Sequence, residues 1–376
     1  MQVVLVSNIN HMRSFSLFLL TTVLSLSTFA QSDKVDVHGF KNEYELEKFL
    51  TPIDIQGQIF QAHAMASDGK YFFVTNDKEV PPIKSYRLSD GKFMGGFGSI
   101  GGGPGEFTIL NRSGFGIRKG QLVVQGRKYV RIYDLVEKKD KLDFELANEI
   151  KIPGDMGNFN NGFLLNDNTL AASVMFSPKD FITFRLNPSE VGESNDVGDF
   201  GDYPNLYPDI PSTAYHHLYT GGSDYSQDGN YLVRAYSRLP LIRVFDLKDH
   251  SFQEIELKPK NEQISKLVPD QRGKSIANGI EMFNYQGLIK ISNNFIVSFY
   301  QEELYKRTAM TERGNMEAVP QTDRFLLVFS REGELLAKLS PPDWFQRFIL
   351  TPDNKMILFH PEIENKLFVA DLDQFR

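Results

Sequence analysis

A turn followed by a short apolar run recurs six times in this chain, and no other sequence feature limits its fold as strongly. The turns are Ser67–Lys70, Arg118–Gly120, Asn166–Asn168, Gln227–Asn230, Ser292–Asn294 and Pro352–Lys355. The runs behind them read YFFVT, QLVVQ, TLAASV, YLVRAY, FIVSFY and MILFH. The markers Gly69, Gly120, Asp167, Gly229, Asn293 and Asn354 lie 51, 47, 62, 64 and 61 residues apart. Short runs rich in β-branched and aromatic side chains, bounded by Asp-Gly or Asn-containing turns, predict strands joined in hairpins. Each unit continues through a connection, another strand and another turn. Four antiparallel strands recurring at this period predict one propeller blade per unit, hence an all-β, six-bladed β-propeller. The last unit stops at Arg376 without its fourth strand. The alternating stretch Asn42–Leu50 is expected to supply it, so that an N-terminal strand completes the last blade and closes the ring. A β-sandwich, or two smaller β domains, would share the strands but not the period.

Ahead of the repeats, Ser14–Ala30 runs 17 residues without a charge behind Arg13 and ends in Thr28-Phe29-Ala30. A short apolar core behind one positive charge, closed by small residues, predicts a secretory signal peptide over 1–30, cut before Gln31. Met12-Arg13 makes a better signal start than Met1. The run is at the short limit for a membrane span, and no basic cluster follows it. Residues 31–376 are then one propeller domain with no membrane span in the mature chain, periplasmic or secreted. The chain has no cysteine. That excludes a lipidated N-terminus, disulfides, thiol nucleophiles and zinc–thiolate or iron–sulfur centres. A net charge of −7 without a long Lys/Arg block argues against nucleic acid as a partner.

Catalytic motifs are sparse. Gly96, Gly98 and Gly101 match a dinucleotide fingerprint in form only, because Gly-Gly-Pro-Gly follows where the phosphate-binding helix would start. His216 and His217 are adjacent, so on a strand they point to opposite faces and do not share one metal. His38, His63, His250 and His360 show no ligand spacing. No cofactor follows from the sequence. Calcium in a channel remains open, since carboxylates and carbonyls gathered from several blades suit it.

The connections carry more information. With strands A to D named from the axis outward, the A–B and C–D turns fall on one face of the disc. The B–C and D–A connections fall on the other. The first set is short. The second holds the long insertions Asn76–Lys84, Phe200–Gly222, Lys258–Gln286 and Gln301–Asp323. Long loops on a rigid scaffold are where binding residues concentrate. These loops carry Tyr203, Tyr215, His216, His217, Tyr219, Tyr285 and Glu302, a mixture of aromatic and polar groups suited to recognition. Arg127, Arg234, Arg238 and His360 sit at or just past the ends of B strands. They are expected to form a polar ring around the channel mouth, where arginine would receive a carboxylate or phosphate.

The stretch Gly96-Phe-Gly-Ser-Ile-Gly-Gly-Gly-Pro-Gly-Glu-Phe107, with Gly114–Val124 behind it, resembles the inter-blade segment of NHL-type and TolB-like six-bladed propellers. Gly198-Asp-Phe-Gly-Asp-Tyr-Pro204 is similar to a second, degenerate copy. The resemblance implies a six-bladed propeller of the kind exported by Bacteroidetes-type bacteria, although lipoproteins of that kind carry a cysteine that this chain lacks. Two functions are weighed. One is a non-catalytic module of the cell envelope that binds a protein, peptide or glycan on the long-loop face. The other is a metal-dependent propeller enzyme of lyase or lactonase type. Its mark would be inward-facing Asp, Glu, Asn or His from at least three blades.

Overall fold

A computed structural model describes residues 34–376 except 60, 104, 109, 153–158, 167–168, 175–176, 178, 187–195, 205–218, 261–280, 308–315, 320–323, 361 and 364. The proposed signal segment lies outside the described residues. Six sheets, each built on four antiparallel strands, make up the described residues. Their A strands are Ala64–Ser67, Leu110–Arg118, Phe159–Asn166, Gly221–Tyr225, Glu281–Ile291 and Phe348–Leu350. Each A strand touches the next, and the last returns to the first, so the ring is closed around a central channel.

The reason these strands stack radially is their two-residue side-chain period. In Tyr71–Thr75 of blade one, Tyr71 and Phe73 enter the apolar cluster shared with blade two, while Phe72 and Val74 enter the cluster shared with blade six. Every strand that is apolar on both faces thus binds two neighbours. Six buried clusters occupy the six junctions between adjacent blades.

Closure differs in detail from the sequence reading. The strand that completes blade six is Thr51–Asp54, antiparallel to Lys366–Val369, and not Asn42–Leu50. Within the latter, Glu43–Glu45 pairs in parallel with Lys338–Ser340 on the outer edge of blade five. Leu46–Phe49 forms a 3-10 turn that buries Leu46. Further upstream, Val35–Asp36 pairs in parallel with Leu257–Lys258 of blade four. The segment Val35–Asp54 therefore straps three blades in turn. Alternation alone could not separate these roles, because an edge strand and a closing strand share one pattern.

A two-blade device recurs inside the ring. In blades one and three a hydroxyl on strand C, Ser85 or Thr183, donates to the carbonyl of a glycine on strand D, Gly95 at 2.9 Å or Gly198 at 3.1 Å. A register shift follows that hydroxyl residue in both sheets. A Phe-Gly pair then stands at or near the end of each D strand, Phe97-Gly98 and Phe200-Gly201, and Gly98 and Gly201 take φ of +84° and +77°, which a side chain would strain. Blades two and four answer with an arginine on strand C opposite a glutamate on strand D, Arg131 with Glu149 and Arg243 with Glu254.

Candidate functional site

The channel encloses a cavity of about 430 Å³ lined by residues of all six A strands. Its floor, at the short-turn face, is Gln227. This residue sits in the A–B turn of blade four, and its side chain reaches across the ring to the Ser67 carbonyl of blade one, 2.6 Å away. Its own carbonyl accepts from the Lys119 amide of blade two at 3.0 Å. Other turns on this face are tied likewise. Ser292 Oγ donates to Asn354 Oδ1 at 3.0 Å, and Arg118 donates to the Leu164 carbonyl. Gln253 donates to the Glu332 carbonyl at 2.7 Å.

Halfway up the wall, Lys290 Nζ of blade five meets Asp224 Oδ1 of blade four at 3.2 Å. The Ile291 amide holds the other carboxylate oxygen at 3.1 Å. Burial raises the Asp224 carboxyl above the ordinary carboxylate range, against the opposing pull of Lys290. The facing wall runs along Ala64, Ala66, Phe115, Ile117 and Phe163, whose side chains pack into the blade junctions. At the mouth, Arg347 Nη1 donates to the carbonyls of Ala62 and His63 at 2.9 and 3.1 Å. His63 Nδ1 lies 2.8 Å from Asp77 Oδ1.

Beneath the long-loop face, between blades three and four, lies a second polar cluster. Asp180, fully buried, faces Arg234 Nε at 3.3 Å and Arg243 Nη1 at 3.4 Å, and it accepts from Tyr236 Oη. Arg243 also holds Glu254 at 2.7 Å and donates to the Asp202 carbonyl of the incoming crossover. Burial raises the Asp180 carboxyl and the Tyr236 phenol. At the equivalent place in blade two, Arg131 holds Glu149 at 2.6 Å and donates to the carbonyls of Gly105 and Glu106 at 3.2 and 3.0 Å.

The residues expected at the channel mouth are not gathered there. Arg234 is 2% exposed and belongs to the Asp180 cluster, because strand B carries it inward between two blades. Arg127 is exposed in the B–C turn of blade two, and Arg238 is half-buried in that of blade four. His360 is half-buried against Trp344, ring centroids 4.6 Å apart, and its Nδ1 accepts from the amides of Glu362 and Ile363. None of these four lines the cavity. Tyr215, His216 and His217 lie outside the described residues. Tyr203, Tyr219 and Tyr285 are buried, not displayed, and Tyr203 stacks on Tyr219 with centroids 5.1 Å apart. Glu302 is also buried, accepting from Tyr300 Oη at 2.8 Å and the Lys260 amide at 2.7 Å, with His38 Nε2 at 2.6 Å. Asp224, Lys290 and Arg347 escaped the sequence reading, although their strands lie immediately before and between the marked turns. Among the described residues no group of three or more His, Asp or Glu could hold a metal ion.

With this geometry in place, comparison with known proteins adds the family. The model of TolB-like six-bladed propellers matches residues 74–350. The chain belongs to this TolB-like propeller family. Among solved structures, a member of the DUF4221 family from Bacteroides vulgatus aligns with a TM-score of 0.52 and 12% identity, covering 86% of this chain and 95% of that one. A protein from Bacteroides fragilis, provisionally described as exported, aligns with a TM-score of 0.51 and 9% identity, covering 88% and 98%. At these identities the likeness concerns the fold. No curated protein matches this chain.

Proposed function

We propose that this TolB-like propeller is an exported, non-catalytic binding module of the cell envelope, periplasmic or secreted, whose long-loop face receives a protein, peptide or glycan. In this reading residues 1–30 are the export signal and 31–376 the propeller. The observation that carries it is the unequal building of the two faces. The short-turn face is tied from blade to blade by Gln227, Arg118 and Ser292. On the other face blade five rises in long strands, Glu281–Ile291 paired with Phe295–Arg307, and Met316–Val319 adds a third strand to this extension. A strand-built projection holds its residues in fixed places, which favours recognition over idle looping. Arg127 and Arg238, with Tyr215, His216, His217 and His360, are the side chains we assign to this face, and Arg234 supports it from beneath.

The metal-dependent enzyme reading has less support. Its mark is three or more converging donors, whereas the described acids and imidazoles of the cavity wall are Asp224, engaged by Lys290, and His63, engaged by Asp77. Retention of a solubilised envelope component by the immobilised protein tests the proposal. The Arg127→Ala, His217→Ala, Arg238→Ala triple variant is expected to lose that component while keeping the wild-type melting temperature. Unchanged retention by the triple variant rejects these residues as the site.

A further inference from the structure

We infer that the central cavity is a second, separate binding site, for a small uncharged molecule rich in hydroxyl groups, of the size of a monosaccharide or cyclic polyol. This inference stands without the long-loop reading, since it uses the channel wall and none of the residues assigned to that face. Three observations carry it.

The first is shape. With Gln227 bridged to Ser67 beneath it, the cavity is a cup rather than a through-channel, so a threaded polymer does not fit. A volume of about 430 Å³ matches pockets that enclose small molecules.

The second is the material of the wall. The A strands send their apolar side chains into the blade junctions and not into the channel. Met65 joins the cluster between blades six and one, Ala64 and Ala66 that between one and two, Phe163 that between three and four, and Ile289 and Ile291 that between four and five. Each A strand is also the last strand of its sheet, paired on one side only. Its other edge, with N–H and C=O groups that have no partner strand, faces the channel. The Ile291 amide shows how such a group is answered, since it donates to Asp224 Oδ2 of the neighbouring blade at 3.1 Å. Rows of backbone donors and acceptors call for a ligand that both donates and accepts at many points. A hydroxyl does both, in the manner of the water it displaces, whereas an apolar body would strand these groups.

The third is charge. The titratable side chains that line the cup are already engaged. Lys290 Nζ holds Asp224 Oδ1 at 3.2 Å, and His63 Nδ1 lies 2.8 Å from Asp77 Oδ1. Arg347 is committed to the carbonyls of Ala62 and His63 and has a further partner. An ionic ligand would have to break one of these arrangements to gain a counter-charge, and a neutral one leaves them intact. Hydrogen-bonding capacity nevertheless remains. The Lys290 ammonium has three hydrogens and gives one to Asp224, and each carboxylate oxygen of Asp224 keeps a lone pair. Tyr225 of blade four adds a phenol, set against Gly116 of blade two, where an added Cβ would stand 3.3 Å from Oη.

Titration calorimetry of the full chain with D-glucose and myo-inositol tests the proposal. Sodium glucuronate, glucosamine and cyclohexanol are the anionic, cationic and apolar controls, at neutral pH and matched ionic strength. At least one of the two neutral polyols is expected to bind at least about tenfold more tightly than every control. The double variant Asp224→Asn, Lys290→Met removes the pair together, so that no buried charge is stranded, and is expected to weaken that polyol by about tenfold. Tyr225→Phe is expected to weaken it by about threefold at the wild-type melting temperature, and it carries the test if the double variant fails to fold. The Arg127→Ala, His217→Ala, Arg238→Ala triple variant is expected to bind the polyol as wild type does, which separates this site from the long-loop face. Absence of heat from both polyols at high millimolar concentration overturns the proposal. So does a control that binds as tightly as they do, a polyol affinity that neither cavity variant alters, or its loss in the triple variant.

Discussion

The junction between blades one and two and the junction between blades three and four use the same parts and carry different loads. In both, a hydroxyl on strand C meets a glycine on strand D, and a Phe-Gly pair stands at or near the end of the D strand. An arginine of the next blade then grips the crossover, Arg131 through Gly105 and Glu106, Arg243 through Asp202. At the first junction the apolar cluster is broad, including Phe73, Phe107, Phe115 and Leu122. At the second, the cluster among the described residues consists of Phe163, Ala171, Phe181, Phe200, Leu232 and Phe245, and the buried Asp180–Arg234–Arg243–Tyr236 cluster lies at the same junction. A motif repeated in sequence thus sets where a crossover is held. The neighbouring blade sets how much depends on it.

That difference can be broken first at Arg243. Arg243→Met leaves the fully buried Asp180 with one arginine fewer, and breaking a buried ionic group of this kind costs about 3–5 kcal/mol. Urea unfolding is expected to show that loss. A loss no larger than that of the matching Arg131 variant would remove the distinction between the junctions. Arg131→Met is expected to cost about 1–3 kcal/mol, the range for charge-assisted hydrogen bonds whose acid partner, Glu149, stays half in water. Gln227→Ala at the floor of the channel removes one bond and is expected to cost about 1 kcal/mol. Exchange of amides near Ser67 should accelerate in that variant, and unchanged exchange would mean the bridge does not hold the floor.

A pH series sharpens the comparison further. The folded carboxyl of Asp224 titrates above its unfolded counterpart, so its favourable contribution is present below the ordinary carboxylate range. It fades as pH rises through the raised value. The urea midpoint of Asp224→Asn relative to wild type is therefore expected to shift in the variant's favour from acid toward neutral pH. A constant offset would contradict the assigned burial. The smallest effect belongs to an exposed turn. The Arg87 side chain, hydrogen-bonded to Asp90, holds that carboxyl down at about 2, and carbon-detected titration of Arg87→Gln should return it to the ordinary range. An unmoved Asp90 would reject that pairing.

The ring itself was legible because each blade repeats one turn and one alternating strand, and burial on both faces of a strand leaves a plain mark in YFFVT or YLVRAY. The closing strand was legible only as something N-terminal. Thr51–Asp54 contains a proline and one half-buried isoleucine, so its pattern is weaker than that of Asn42–Leu50, which instead lies along blade five. Arg234 was placed at the mouth because its strand ends nearby. The residue that draws it inward is Asp180, 54 positions earlier and on another blade, a pairing no local pattern encodes. Asp224 stands in the run GGSDY, whose glycines hide a strand. Gly221 and Gly222 are there because backbone of blade four and blade five crowds any added Cβ. Gln227 reads as a turn residue, and its reach to Ser67 depends on two blades standing opposite each other.

The central claim is that one face of this disc is sealed and the other receives the partner. Site-specific photocrosslinking tests it directly, because the chain has no native cysteine to compete with introduced ones. Arg127→Cys on the long-loop face and Lys119→Cys on the short-turn face, each carrying a benzophenone label, would be irradiated in envelope extracts of the producing cell. The account predicts a discrete adduct from position 127 and none from position 119; an adduct from position 119 alone would contradict it.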